Sequence, residues 1–511
     1  MDFLGLRNLT ILGKAIDYVT ATQGKIVDIS SIPLDDPAVF TTISSGETTG
    51  IFQLESPGMR RVARNLRPSS FSDITAMVAL YRPGPMELIN DFILGKTNPQ
   101  TVKYPHDDLK PVLAETYGIA VYQEQCLQIA NIMAGYSLSE ADMLRRAIGK
   151  KKRAIMAKEK LKFTRGAKAK GYSNQVAERV WGYIERFAGY GFNKSHAAAY
   201  AMIAYQTAYM KTHYPVEFMT AVLTAESGNT DKIPPAIEEC KRMGIVILPP
   251  NINQSQTGFT IEPNLNSLEK RAIRFGFSAI KNVGTAAIDS ILEAKKDSAF
   301  SSFADFCSRV DNQKVNKKVL ESLIKVGGLD AFGNRASLLL GMDKIRGDIE
   351  REQVQAASGQ QSLFIAHAKD VPKLAPLPQI DELPLPELLN FEKQLLGFYL
   401  SQHPMADALN TIAQKIDLKL HALAEASEGS LLVIGGIITK IRRIITRKGN
   451  HEMAFITLED GTGTAEVVVF PNLFAQTNQF LNEDTPALAT VKVETKEDQL
   501  SFIAQSLRLV T

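Results

Sequence analysis

Residues 139 to 170, SEADMLRRAIGKKKRAIMAKEKLKFTRGAKAK, hold twelve Lys or Arg and three acidic residues. That is a local excess of nine positive charges on a chain whose net charge is +3. Leu144, Ile148 and Ile155 recur at helical spacing, and Ser139 with Asp142 has the form of a capping box. The segment reads as one amphipathic helix with a cationic face that carries Arg145 and Lys152. Such a face suits a phosphate backbone or a triphosphate, because each neutralised phosphate releases counterions and makes binding salt-dependent. A solvated charged helix would have the same composition. The RR and KKKR clusters, with few acidic neighbours, favour a polyanion.

Three weaker signals lie further along. FSAIKNVGTAAIDSILEA (277–294) reads as a helix, a tight turn at Val283-Gly284 and a second helix. A helix-hairpin-helix of this kind would offer a phosphate the backbone N–H groups around Lys281, Val283, Gly284 and Thr285. An ordinary αα-hairpin is the alternative, and VLESLIKVGGLDAFG (319–333) is either a degenerate second copy or packing. In SGQQSLFIAH (358–367), Gln360, Ser362, Leu363 and Phe364 make a docking peptide of one Gln and two apolar anchors, or a chance pair in a linker. From about 429, LLVIGGIITKI, MAFITLED and TAEVVVF alternate with period two between RKGN and DGTG. That fits a five-stranded OB barrel, which binds single strands through basic grooves and stacking aromatics. Arg442, Arg443, Arg447 and Lys448 cluster in its first hairpin. Phe455 or Phe470 could stack on bases, although the barrel core is the favoured place for either.

The elements that must position these residues are mostly helices. Helical patterns run over 72–80, 120–134, 139–162 and 196–211, and ILPPNINQS (247–255) breaks the pattern at a domain boundary. Residues 273–345 form another helical block, and 352–386 turn polar and proline-rich, as a linker or extended segment does. A chain of 511 residues needs three or more domains. Its 45% hydrophobic and 22% charged content is that of a soluble globular protein. No apolar run reaches the ~18 residues a membrane span needs, and the first residues lack signal-peptide form. Cys126, Cys240 and Cys307 are far apart without CxxC spacing, which points to a reducing cytoplasm without disulfides or a zinc site.

Several strings occur together and in order: DFLGLRNLT (2–10), GIFQLESPGM (50–59), ALYRPGPM (79–86), YGIAVYQEQ (117–125), ADMLRRAIGKKK (141–152), GFNKSHAAAYAMIAYQTAYMKTHYP (191–215), ILPPNIN (247–253) and FEKQLLGFYLSQHP (391–404). Across nearly the whole chain they resemble the C-family replicative DNA polymerases of bacteria, the DNA polymerase III alpha subunits. The resemblance implies a multidomain chain: mainly α-helical fingers and helix-hairpin-helix domains, then a C-terminal all-β OB-fold barrel. The expected spans are a palm remnant at 1–12, fingers at 13–245, a helix-hairpin-helix DNA-binding region at 246–345, a clamp-binding segment and linker at 346–428, and the OB fold at 429–511. It also implies that Arg145 and Arg146, with Lys150 and Lys151, meet the triphosphate of an incoming dNTP. Arg82, Asn193, Lys194 and His196 are further nucleotide-site candidates. The hairpin near 280–288 would hold duplex DNA, the 360–364 peptide the beta sliding clamp, and Arg442, Arg443 and Lys448 the single-stranded template. Primed DNA and other holoenzyme subunits are the remaining implied partners.

In this family the aspartate before Phe-Leu-Gly-Leu-Arg is one of three palm carboxylates, and here it is Asp2. The three hold two Mg²⁺ ions, which lower the pKa of the primer 3′-hydroxyl and stabilise the transferring phosphoryl group. One carboxylate cannot hold two hard, hexacoordinate ions. No Asp-x-Asp stands on a strand-like run, and Asp35-Asp36 and Asp107-Asp108 precede turns or caps. The PHP (polymerase and histidinol phosphatase) domain, the thumb and most of the palm have no counterpart either. Met1 is therefore expected to be a cut edge, and the chain inactive alone. A non-catalytic DNA- and clamp-binding module is the alternative; a self-sufficient polymerase built on Asp2 is a third.

Overall fold

The computed structural model describes residues 5–149, 153–188, 190–229, 231–265, 267, 270–357, 376–401, 405–446, 451–496 and 499–510. Asp2, Lys150, Lys151, Lys152, the 360–364 peptide, Arg447 and Lys448 lie outside them. The chain divides into two compact units, residues 1–221 and 222–511.

The first unit is helical: α1 (Arg7–Gln23), α2 (Pro37–Ser44), α3 (Pro57–Leu66), α4 (Phe71–Leu80), α5 (Ile89–Thr97), α6 (Lys110–Leu113), α7 (Gln123–Ala134), α8 (Leu138–Gly149), α9 (Arg153–Ala169), α10 (Asn174–Ala188) and α11 (Lys194–His213), with α12 (Pro215–Ala225) running into the next unit. α11 is laid down by HAAAYAMIAYQTAYMK. Its fully buried Ala197, Ala201, Ala204 and Ala208 fall four, three and four residues apart and make one smooth stripe. Small side chains let a neighbouring backbone come close, and α4 packs on α11. A capping box starts α4: Ser70 Oγ accepts the Asp73 N–H at 3.3 Å, and the Asp73 carboxylate accepts the Ser70 N–H at 3.1 Å. The buried Asp73 carboxylate also takes Lys96 at 2.7 Å. α4 stops at Leu80, and RPGP turns the chain away.

Two helical readings need correction. The 120–134 helix starts only at Gln123, because Tyr122 is extended and bridges Phe192 in parallel. The buried Gln125 carboxamide oxygen holds that stretch by accepting the N–H groups of Val121 and Tyr122, both at 2.9 Å. The basic segment holds two helices, α8 and α9, which fold back on each other so that Lys162 of α9 reaches Glu140 of α8 at 2.8 Å; Lys152, expected to share a face with Arg145, lies outside the described residues. The segment's cap also lies two residues earlier than Ser139-Asp142: Ser137 Oγ accepts the Glu140 N–H at 3.3 Å, and Glu140 Oε2 accepts the Ser137 N–H at 2.8 Å.

The second unit begins with α13 (Ile233–Arg242) and a three-stranded sheet of order β1-β3-β2 that the sequence reading did not anticipate: β1 (Val246–Leu248), β2 (Thr260–Pro263) and β3 (Arg271–Arg274). Strands this short are hidden by the Pro249-Pro250 break. After α14 (Thr285–Ala294), α15 (Phe303–Arg309), α16 (Lys317–Lys325), α17 (Arg335–Ala357), α18 (Leu385–Leu396) and α19 (Ala406–Ala413) comes a closed barrel. Its strands are β4 (Leu431–Ile445), β5 (Glu452–Glu459), β6 (Thr464–Val469), β7 (Thr485–Lys496) and β8 (Gln499–Leu509), in the order β4-β5-β6-β8-β7. Ala454, Ile456 and Leu458 alternate into its core, as period two requires. Among the described residues, no helix is long and apolar enough to cross a membrane.

Candidate nucleotide and nucleic-acid interface

The Tyr122–Phe192 bridge gathers residues far apart in sequence. Phe192 donates its N–H to the Val121 carbonyl at 3.0 Å, and Gln123 donates its own to the Phe192 carbonyl at 2.8 Å. Arg82, at the end of α4, sets its guanidinium 4.7 Å from the Phe192 ring centre and donates to the carbonyls of Ala79, at 2.9 Å, and Tyr190. Partial burial lowers the pKa of Arg82 from its usual value. The turn that delivers it needs Gly84, whose φ is +100° and whose Cβ would lie 2.7 Å from the Tyr190 ring.

The start of α11 stands on the other side of the bridge. Asn193 caps it, its Oδ1 accepting the His196 N–H at 2.8 Å. Glu124 Oε2 accepts the Lys194 N–H at 3.0 Å, a favourable place for a carboxylate. The Lys194 ammonium pairs with Glu115 at 2.7 Å and lies 5.3 Å from the Tyr122 ring centre. His196 is exposed, with its ring 5.5 Å from Phe192 and 4.3 Å from Tyr200. From α8, Arg145 reaches the Gln123 carboxamide oxygen at 3.1 Å. Asp142 holds Arg145 at 2.9 Å and Arg146 at 2.8 Å. The hydrogen bond from Arg145 keeps the Asp142 carboxyl below its usual range. Arg146 is 68% exposed and Arg145 27%.

The structure therefore draws Arg82, Arg145, Arg146, Asn193, Lys194 and His196 into one patch. Sequence reasoning missed Gln123, Glu124 and Glu115, which bind these groups together, since no spacing marks them. Asp36, in contrast, is an N-cap: its Oδ1 accepts the Ala38 N–H at 2.8 Å and its Oδ2 meets His213 at 2.7 Å. Asp107 pairs with Lys110 at 2.9 Å. No group of three or more His, Cys, Asp or Glu among the described residues could hold a metal.

In the second unit the expected first helix of the hairpin is one short 3₁₀ turn, Phe277–Ala279, followed by Asn282 at φ +70° and then α14. Gly284, Thr285 and Lys281 are exposed. Val283 is buried and donates its N–H to the Ile280 carbonyl at 3.2 Å, and the Lys281 N–H goes to the Leu395 carbonyl at 3.0 Å. No side chain caps α14. At the 319–333 hairpin the N-terminus of α17 is taken: the Glu382 carboxylate accepts the N–H groups of Arg335 at 2.9 Å and Ala336 at 3.0 Å.

On the barrel, Arg442 lies 4.4 Å from the Phe455 ring centre and 3.6 Å from Glu466, and Arg443 lies 5.9 Å from the Phe474 ring centre. Phe455 is not in the barrel core as favoured. It packs with Met453, Val468 and Ile503 on the outer face, because it alternates with core-facing Ala454 and Ile456. Phe470 is 41% exposed.

Three family models match. The bacterial DNA polymerase III alpha subunit finger domain covers residues 8–171, a helix-hairpin-helix motif covers 244–338, and an OB-fold nucleic acid binding domain covers 432–510. The chain is 43% identical over 513 residues to the DNA polymerase III subunit alpha of Bacillus subtilis, covering 100% of this chain and 45% of that protein. It is 43% identical over 516 residues to that of Thermus aquaticus, covering 99% of this chain and 41% of that protein. The chain belongs to the DNA polymerase III alpha subunit family. The fold class implied by the resemblance, helical regions with a helix-hairpin-helix followed by an OB barrel, holds. The chain spans less than half the length of these relatives. The alpha-subunit finger model contains Arg82, Arg145 and Arg146 and ends before the 191–196 loop that the structure brings beside them.

Proposed function

We propose that this chain serves template-directed addition of dNTPs to a primer 3′ end, as part of a replicative DNA-dependent DNA polymerase. The observation that carries the reading is the convergence of Arg82, Arg145, Arg146, Lys194 and His196 on the Tyr122–Phe192 bridge. Guanidinium forks match phosphate oxygens in bidentate geometry, and Arg146 is exposed enough to reach them. Lys150 and Lys151, next in sequence, are further candidate phosphate ligands, while Asn193 and His196 face the nucleotide from the start of α11.

Gly284 and Thr285 offer backbone N–H groups to a duplex phosphate, with the Lys281 ammonium beside them. Arg442, Arg443 and Lys448 serve the single-stranded template. Gln360, Ser362, Leu363 and Phe364 dock on the beta sliding clamp, with other holoenzyme subunits as further partners, and the setting is the cytoplasm. Replacing Leu363 and Phe364 by alanine removes both apolar anchors and should weaken clamp binding; an unchanged affinity would remove that assignment.

The reaction calls for two Mg²⁺ held by several carboxylates, which position the 3′-hydroxyl and neutralise charge on the transferring phosphoryl group. The described residues do not fit such a site. Asp2, which lies outside the described residues, is the ligand the resemblance implies and is insufficient alone; the role proposed for the described residues is to bind and orient substrates. The test is primer extension with Mg²⁺ beside a mobility-shift assay on the same preparation. Binding without extension, rescued by a companion chain carrying an Asp-x-Asp palm, supports the proposal. Binding never rescued favours a non-catalytic DNA- and clamp-binding module. Extension by the chain alone, abolished by Asp2→Ala, overturns the division of labour.

A further inference from the structure

Gln123 is the residue through which the two halves of the cationic patch meet. Its side-chain oxygen accepts from Arg145 Nη1 at 3.1 Å, and its side-chain nitrogen donates to the Gly191 carbonyl at 3.0 Å. Its backbone N–H donates to the Phe192 carbonyl at 2.8 Å. A guanidinium has only donors and a carbonyl only accepts, so a bridge between them needs one acceptor and one donor on the same side chain. A carboxamide supplies both. The approach is also close: a Cβ on Gly191 would lie 3.2 Å from the Gln123 nitrogen and 3.3 Å from its Cα. Gln123 opens α7 and is only partly exposed, so its stem is fixed by the helix and the bridge together.

We propose that Gln123 is a positioning residue that holds the Arg145 guanidinium in register with the 191–196 loop, so that a nucleotide's phosphates meet Arg145, Arg146 and the start of α11 as one preformed site. This rests on the nucleotide-site reading above. Without the bridge, Asp142 alone would orient Arg145, toward Arg146 and away from the loop. Preformed donors bind a multiply charged anion better than mobile ones, because less ordering accompanies binding.

The test is equilibrium binding of dATP to the full 511-residue chain, with tripolyphosphate as a second probe, for Gln123→Ala, Gln123→Glu, Arg145→Ala and the Gln123→Ala/Arg145→Ala pair. Far-ultraviolet circular dichroism and melting curves accompany each variant. Gln123→Ala should weaken dATP binding about five- to tenfold, within the range of a typical hydrogen bond. The double variant should lose no more than Arg145→Ala alone, because Gln123 acts through Arg145. Gln123→Glu keeps the acceptor for Arg145 and loses the donor to Gly191, so its loss should be intermediate. Additive losses, or full affinity in Gln123→Ala beside a weakened Arg145→Ala, would overturn the positioning role and leave the nucleotide site standing. Full affinity in Arg145→Ala would overturn both.

Discussion

Asp142 grips Arg145 by two nitrogens on one carboxylate oxygen, Nε at 3.0 Å and Nη2 at 2.9 Å, and gives its other oxygen to Arg146. One carboxylate thus neutralises part of the charge at two guanidiniums proposed to meet a triphosphate. Phosphate and Asp142 must compete for the same donors.

Asp142→Asn should therefore raise the affinity of the chain for a dNTP or tripolyphosphate at low salt, by several-fold. The gain should shrink as salt rises, since exposed charges are screened over about 8 Å at physiological ionic strength. Titration at two salt concentrations checks this. A weaker variant at low salt would mean that Asp142 is needed to aim the arginines.

Gly284 separates a folding role from a binding role. Its φ is −84°, and a Cβ there would meet nothing within 4 Å. Gly284→Ala should leave stability within about 0.5 kcal/mol and yet weaken duplex DNA binding, because the added methyl stands where a phosphate would approach. Gly276→Ala is the contrast: its Cβ would lie 2.4 Å from the Gly258 carbonyl carbon, so overpacking should cost about 1–3 kcal/mol. Urea unfolding and duplex titration of the two variants distinguish these effects.

Lys295 should give stability a pH dependence. It donates to the Ser255 carbonyl at 2.6 Å, and burial brings its pKa from 10.5 down to about 8. Between these values the unfolded chain holds the proton more firmly than the folded one. Stability attributable to this group should rise with pH from about 8 toward 10.5 and be absent below that window. Unfolding free energies at several pH values should show a smaller upward slope for Lys295→Met than for the parent chain. Equal slopes would remove the assignment.

Cys126 and Cys307 should be inert in the native chain. Both are buried, and burial raises each thiol to about 12. Reaction needs the thiolate, which is then scarce near pH 8. A chromogenic disulfide should modify them only after denaturant is added, and fast native labelling at either position would contradict their placement.

The architecture was legible wherever a local period persisted. Alternation in MAFITLED and TAEVVVF becomes β5 and β6, and the alanine-rich run after His196 becomes α11. Charge was legible too: the cationic cluster at 139–170 stands out from composition alone and includes Arg145. Short elements were not. The three-residue β1 and four-residue β2 and β3 carry too few residues for a period to stand out from composition. Neither were helix starts, since Tyr122 is held extended by a partner seventy positions away in sequence, Phe192.

By itself, the sequence determined the helical and barrel segments, the excess of positive charge and the residue types that can meet phosphate, because propensity, period and charge act over a few neighbouring residues. Only the tertiary structure decided that Arg82, Arg145 and His196 share one patch, that Asp142 leaves the expected cap to hold two arginines, and that Gln123 joins α8 to the 191–196 loop. The patch and the Gln123 link depend on contacts between groups tens of residues apart, set by how the helices pack, and the Asp142 pairs, three and four residues apart, depend on Glu140 having taken the cap.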